Sequence, residues 1–178
     1  MRKSSYITVT ALALIGSITI AAPPPIKKTP TFSDDGATLT AAGNLKGIAA
    51  GDYQVTLLAT GTESVVCGEG GVNPPAAPLV LTGTKAVSVP AGGNVVATFE
   101  GLVSSAPPAP ACAQSEDGAV VAVQQDVAFT SATLEIRPAQ ADPAAPPKKP
   151  VRCIQCSFTL PTIDGPAKPQ SCLTMFSC

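Results

Sequence analysis

The chain has 178 residues, a formal net charge of −1, 45% hydrophobic and only 13% charged residues, about half the usual charged share of a soluble domain. It contains no His and no Trp, which removes the commonest general base, the usual base of a serine or cysteine triad and the commonest zinc ligand. Most hydrolase and metalloenzyme mechanisms are thereby excluded or weakened, while 15 Gly and 19 Pro are too few for a wholly low-complexity chain.

Arg2 and Lys3 open the sequence, and Tyr6 to Ile20 follows without a charge. A basic start, a short apolar run and the small residues Thr19, Ala21 and Ala22 predict a secretory signal peptide over 1–21, with the cut after Ala21 or Ala22. The run is too short and too rich in Ser and Thr for a membrane anchor, which needs about 20 apolar residues. Residues 22–30 (APPPIKKTP) form a Pro-rich spacer, since Pro fixes the backbone and removes donors.

Residues 31–137 are expected to fold as one β domain of ordinary size. Ser33-Asp34-Asp35-Gly36 reads as an exposed turn, because it lacks the alternating carboxylates and distal Glu of a calcium loop. Thr38 to Leu45 is a weak strand candidate. In Asp52 to Thr60, Tyr53, Val55, Leu57 and Ala59 recur at period two and define a buried strand face. Thr62 to Cys67, Leu79 to Thr82, Lys85 to Val89, Asn94 to Leu102, Ala119 to Gln124 and Val127 to Ile136 are further strands, rich in Val, Thr and Leu. Gly47 to Gly51, Gly83-Thr84 and Pro90 to Gly93 are the predicted turns. The spacing of these runs predicts an all-β, antiparallel, immunoglobulin-like β-sandwich.

Export makes six cysteines an expected set of three structural disulfides. Cys67 ends one strand and Cys112 lies in the Pro-rich loop Ser104 to Asp117; their bond would close a long loop, worth about 4 kcal/mol of chain entropy. After a Pro-rich linker over 138–150, residues 151–178 read as a short cysteine-rich tail stapled by Cys153, Cys156, Cys172 and Cys178. Three pairings of those four are open. A four-thiolate zinc is disfavoured because the second Cys pair has a gap of five residues, and a redox Cys-x-x-Cys lacks a surrounding βαβ pattern. No metal ligand set, cofactor or catalytic residue is assigned. Leu160 to Asp164 (LPTID) lacks the Thr-Gly order of a sortase signal, and no Asn lies in an N-glycosylation sequon.

The stretches Leu57 to Gly61 (LLATG), Cys67 to Pro75 (CGEGGVNPP) and Asp126 to Leu134 (DVAFTSATL) resemble an uncharacterised family of small exported bacterial proteins. In that family a strand ending in Ala-Thr-Gly leads to a Cys and an Asn-Pro loop, and a Phe-Thr-Ser-Ala-Thr strand closes the domain. This chain departs from it with Asn73-Pro74-Pro75, where the family has a double glycine. The resemblance implies an exported compartment and a β fold, and no activity.

Charge is uneven along the chain. Thr31 to Arg137 holds ten acids against Lys46, Lys85 and Arg137, a net of −7, which argues against nucleic-acid binding. The expectation is a secreted or cell-envelope noncatalytic structural or binding protein with an extracellular or cell-surface partner, no nucleic acid and no stable membrane insertion of the mature chain. Its loops Gly68 to Pro78 and Ser104 to Asp117, tied by Cys67 and Cys112, are the candidate recognition surface. The alternative is a secreted carboxylate-dependent hydrolase, or a small inhibitor built on the tail.

Overall fold

The computed structural model describes residues 29–68, 71–92, 96–109, 112, 123–142, 144–159 and 161–178. The expected signal peptide, the first spacer as far as Lys28, residues 69–70 and 110–117 (except 112) of the two expected loops, and the start of the strand expected at Ala119 lie outside these residues. Among the described residues there are nine strands and no helix: β1 (Thr31–Asp34), β2 (Leu39–Asn44), β3 (Gly51–Cys67), β4 (Ala77–Val89), β5 (Thr98–Val103), β6 (Val123–Pro138), β7 (Arg152–Phe158), β8 (Gly165–Ala167) and β9 (Pro169–Met175).

All pairings are antiparallel. One sheet has the order β5-β2-β1-β8 and the other β4-β3-β6-β7-β9. The spine of the larger sheet is β3 against β6, in register from Tyr53–Pro138 to Cys67–Val123. The period-two face is buried as expected, with Tyr53, Val55, Leu57 and Ala59 in the core. On β6 the inward phase changes between Phe129 and Ala132, both buried. The register shift opposite Thr60 and Gly61 absorbs one extra residue there, a β-bulge that keeps both ends of a long strand facing the core. Phe32, Leu39, Ala41, Phe99 and Leu102 of the smaller sheet pack into the same core.

Three predicted breaks are absent, one of them at Gln125-Asp126, which lies inside β6. Thr62 to Cys67 continues the strand begun at Gly51, and Gly83-Thr84 is the middle of β4 rather than a turn. Gly83 is there because β5 crosses close beneath it: a Cβ on Gly83 would lie 1.9 Å from the Val103 carbonyl oxygen. Beside it the Ser105 N–H donates to the Thr82 carbonyl at 2.7 Å, and the Lys85 ammonium donates to the Glu100 carbonyl. The two sheets therefore close on each other along the β4–β5 side.

The C-terminal segment corrects the expectation of a linker and an appended tail. Residues 139–151 are the connection of a β6–β7 hairpin, whose strands pair from Ser131–Ser157 to Ile136–Arg152. The Arg137 guanidinium, paired with Glu135, also donates to the Lys148 carbonyl at 2.9 Å, and the Lys148 ammonium donates to the Ala139 carbonyl at 3.0 Å. Residues 151–178 then supply strands to both sheets. β8 pairs with β1, β9 pairs with β7, and only Lys168 separates them. Cys156 and Phe158 join the core, and the Phe158 and Phe32 rings pack in a T-shaped pair with centroids 5.5 Å apart. The segment needs no core of its own because it completes the domain's.

Candidate functional site

All six cysteines are bonded: Cys67 to Cys112, Cys153 to Cys178 and Cys156 to Cys172. This settles the pairing left open in the C-terminal segment. Cys153 and Cys156 bond to different partners, so the Cys-x-x-Cys pair is not a dithiol unit. Cys156 and Cys172 face each other across β7 and β9 with 4.1 Å between Cα atoms, the short spacing of a non-hydrogen-bonded antiparallel pair.

Cys67–Cys112 instead ties a strand end to a loop. The Cys67 N–H donates to Asn73 Oδ1 at 2.7 Å, which folds the segment after β3 back over the strand end. The Gln125 side-chain amide donates to the Glu63 carboxylate and, at 3.0 Å, to the Pro108 carbonyl. One side chain of β6 thus holds both β3 and the segment after β5. Between these segments lies a shallow cleft of about 230 Å³ lined by Glu63, Val65, Pro74, Pro75, Pro108 and Ala109, among others. Val72 stands 71% exposed in the same loop. Proline rings present apolar surface without rotamer entropy to lose on contact, and Glu63 supplies a charge at the wall. The cleft suits an extended or flat ligand held by surface complementarity.

A second polar cluster was not foreseen. Asp34 is only 2% exposed, although Ser33 to Gly36 reads as an exposed turn. The reason is that β1 runs to Asp34 and turns its side chain inward, leaving Asp35 and Gly36 to make the turn. Gly36 sits at φ +79°, a left-handed backbone that glycine adopts without steric cost. Its N–H donates to Asp34 Oδ1 at 3.0 Å, and its carbonyl accepts from Val127 at 3.0 Å. The Thr162 hydroxyl donates to the other carboxylate oxygen and accepts from the Phe129 N–H at 2.9 Å. The Thr162 N–H returns to the Phe129 carbonyl at 2.9 Å. Burial raises the Asp34 pKa, the hydrogen bonds from Thr162 and Gly36 oppose this, and the nearby charges of Asp126 and Asp164 add to the rise. Asp34 is enclosed, so it reaches no substrate; it joins β1, β6 and the β7–β8 connection. Among the described residues no group of three His, Cys, Asp or Glu side chains is placed to hold a metal ion.

Sequence reasoning found the cysteines and the Cys67–Cys112 tie between a strand end and a loop. It missed Thr162, which lies in the LPTID stretch, and the only signal available was a hydroxyl between two apolar residues. Comparison of the chain with family models, with curated proteins and with solved structures finds no match.

Proposed function

We propose that this chain is an exported, noncatalytic binding or structural module of the extracellular space or cell envelope, and that it engages its partner through the disulfide-tied loop end. The observation that carries this reading is the Cys67–Cys112 end. Two Pro-rich segments are fixed there by one disulfide and by the Asn73 and Gln125 hydrogen bonds around a cleft open to solvent. Rigid loops on a sheet scaffold are the usual site of recognition, and prior rigidity lowers the entropy cost of binding. Three disulfides support an oxidising compartment, in keeping with the basic and apolar N-terminal run and with the resemblance to small exported bacterial proteins. The mature chain, starting near Ala22, would carry no membrane-inserted segment.

The strand order supports an immunoglobulin-like reading of the sandwich. β5-β2-β1 against β4-β3-β6-β7 corresponds to strands E-B-A against C′-C-F-G of that fold. β8 and β9 would then be additions on the outer edges of strands A and G.

The test is capture of surface and medium components of the producing cell by mature, oxidised protein. A Val72→Asp, Pro74→Gly variant, altered only at the exposed loop, is expected to capture at least about tenfold less. Undiminished capture would place recognition elsewhere, and hydrolysis of a captured polymer would revive the carboxylate-hydrolase alternative.

A further inference from the structure

The outer edge of β9 has no partner strand among the described residues, and its chemistry differs from that of the other three sheet edges. β4 carries Pro78 and Lys85, β5 carries Glu100 and Gly101, and β8 is three residues long with Pro166 at its centre. Charge, proline and shortness are the devices by which natural sheets discourage edge pairing. β9 opens with Pro169, but from Gln170 to Phe176 (QSCLTMF), the stretch around Leu173, it and the residue after it have no charge and no further proline. They also expose apolar side chains, with Leu173 64% and Phe176 92% accessible and Met175 at 36%. The edge is held rigid by Cys156–Cys172 within the strand and by Cys153–Cys178 just beyond it.

The direction of its free backbone groups follows from the Cys156–Cys172 pair. At 4.1 Å between Cα atoms that pair is of the non-hydrogen-bonded kind. The N–H and C=O of Cys172 therefore point away from β7, as do those of Thr174 two residues on. Leu173, between them, turns its backbone groups toward β7 and its side chain to the outer face of the sheet.

We infer that β9 is a homodimerisation edge, where a second copy of this chain pairs antiparallel about a two-fold axis through Leu173. In this register Cys172 of each copy stands opposite Thr174 of the other, and their outward N–H and C=O groups form four main-chain hydrogen bonds. Leu173 meets its own counterpart on the axis in a close, non-hydrogen-bonded pair, flanked on both sides by Ser171 opposite Met175. The two five-stranded sheets become one sheet of ten. The occupant is a second copy because the seam is self-complementary: a neutral strand meets itself without like-charge repulsion, although the body of each chain is acidic. An acidic or basic peptide would find no counter-charge on β9. Standard stable interfaces bury about 1,200–2,000 Å² in total, and a single edge with three apolar side chains from each copy lies at or below the lower bound. The dimer should thus be concentration-dependent, with a Kd in the range of about 1–100 μM.

Sedimentation of the oxidised full-length mature protein across that range tests this. The expected result is reversible dimerisation, weakened at least tenfold by Leu173→Lys, which sets two ammonium groups face to face while leaving circular dichroism unchanged. Leu173→Cys should oxidise to a covalent dimer. Ser171→Cys should not, since the two copies of residue 171 are then about 13 Å apart along the strands. Amide exchange at Cys172 and Thr174 should slow with rising protein concentration. A monomer throughout, a dimer indifferent to Leu173→Lys, equal cross-linking by both cysteine variants, or concentration-independent protection (the edge covered by the chain's own residues) would each overturn the inference. Capture by the loop end is read in a separate assay, so either proposal can fail alone.

Discussion

The two ends of the chain's cysteine set use the same bond for different purposes. Cys67–Cys112 lies at the rim, where it joins a strand end to a Pro-rich segment and fixes loops that the sheets do not order. Cys156–Cys172 lies inside the sheet, where two strands are already paired and the Cys156 sulfur is part of the core. Cys153–Cys178 clamps the residues just past β9 to the same strand β7. Loop length alone would rank the rim bond first, with a sequence separation of 45 against 16. Burial argues the reverse, and the contrast separates a disulfide that shapes a surface from one that completes a core.

The largest effect should come from Cys156→Ala with Cys172→Ala. Loss of loop closure costs about 3 kcal/mol, and the space left in the core about 1–2 kcal/mol more, so denaturant unfolding should show about 4–5 kcal/mol of destabilisation. Cys67→Ser with Cys112→Ser should cost about 3 kcal/mol, below the loop-closure figure because prolines already stiffen the enclosed chain. This second variant should still unfold cooperatively while losing partner capture. If it proves the less stable of the two, the comparison is inverted and the rim bond is the structural one.

Thr162→Val probes whether the C-terminal segment is joined to the body by polar contacts as well as by sulfur. It strands the Phe129 N–H and a buried carboxylate oxygen and should cost about 2 kcal/mol by thermal or denaturant melting. The smallest effect is a pH dependence. Burial raises the folded-state pKa of Asp34 above its ordinary value of 3.8, so the folded chain binds that proton more tightly than the unfolded chain does. The resulting stabilisation is full below about pH 3.8 and is lost as pH rises through the raised folded value. Melting temperatures of the wild type relative to Asp34→Asn should therefore fall from acid toward neutral pH. A difference that is flat, or that grows with pH, would contradict a raised Asp34.

The sheet character and the inward face of β3 were legible because each is local, and the Cys67–Cys112 bond because the other four cysteines cluster together near the C-terminal end. Alternating Tyr53, Val55, Leu57 and Ala59 report a half-buried strand. What was hidden depends on contacts remote in sequence. Gly83 reads as a turn because glycine usually signals one; here it makes room for the backbone of Val103, twenty residues away in the other sheet. Asp34 reads as exposed because carboxylates usually are; its burial depends on Thr162, 128 residues later. Residues 151–178 look coreless because they carry few large apolar groups. Phe158 and Cys156 suffice once Phe32 and β6 provide the rest of the packing. The Pro-rich character of the loop end is plain in its composition, whereas its cleft and the Gln125 link across it needed the fold.

The covalent bond between β7 and the residue beyond β9 also decides how this protein would answer a pull. Tension applied at Cys178 passes through the sulfur bridge into Cys153 and so into β7, between β6 and β9 in the larger sheet. β8 and β9 are bypassed and cannot be peeled off in sequence. With a separation of 25 residues, the bridge withholds roughly 80 Å of chain from extension. The rim bond, with a separation of 45, withholds about 150 Å more. Stretched in an oxidising medium, the chain would yield little length before the sheets themselves had to shear.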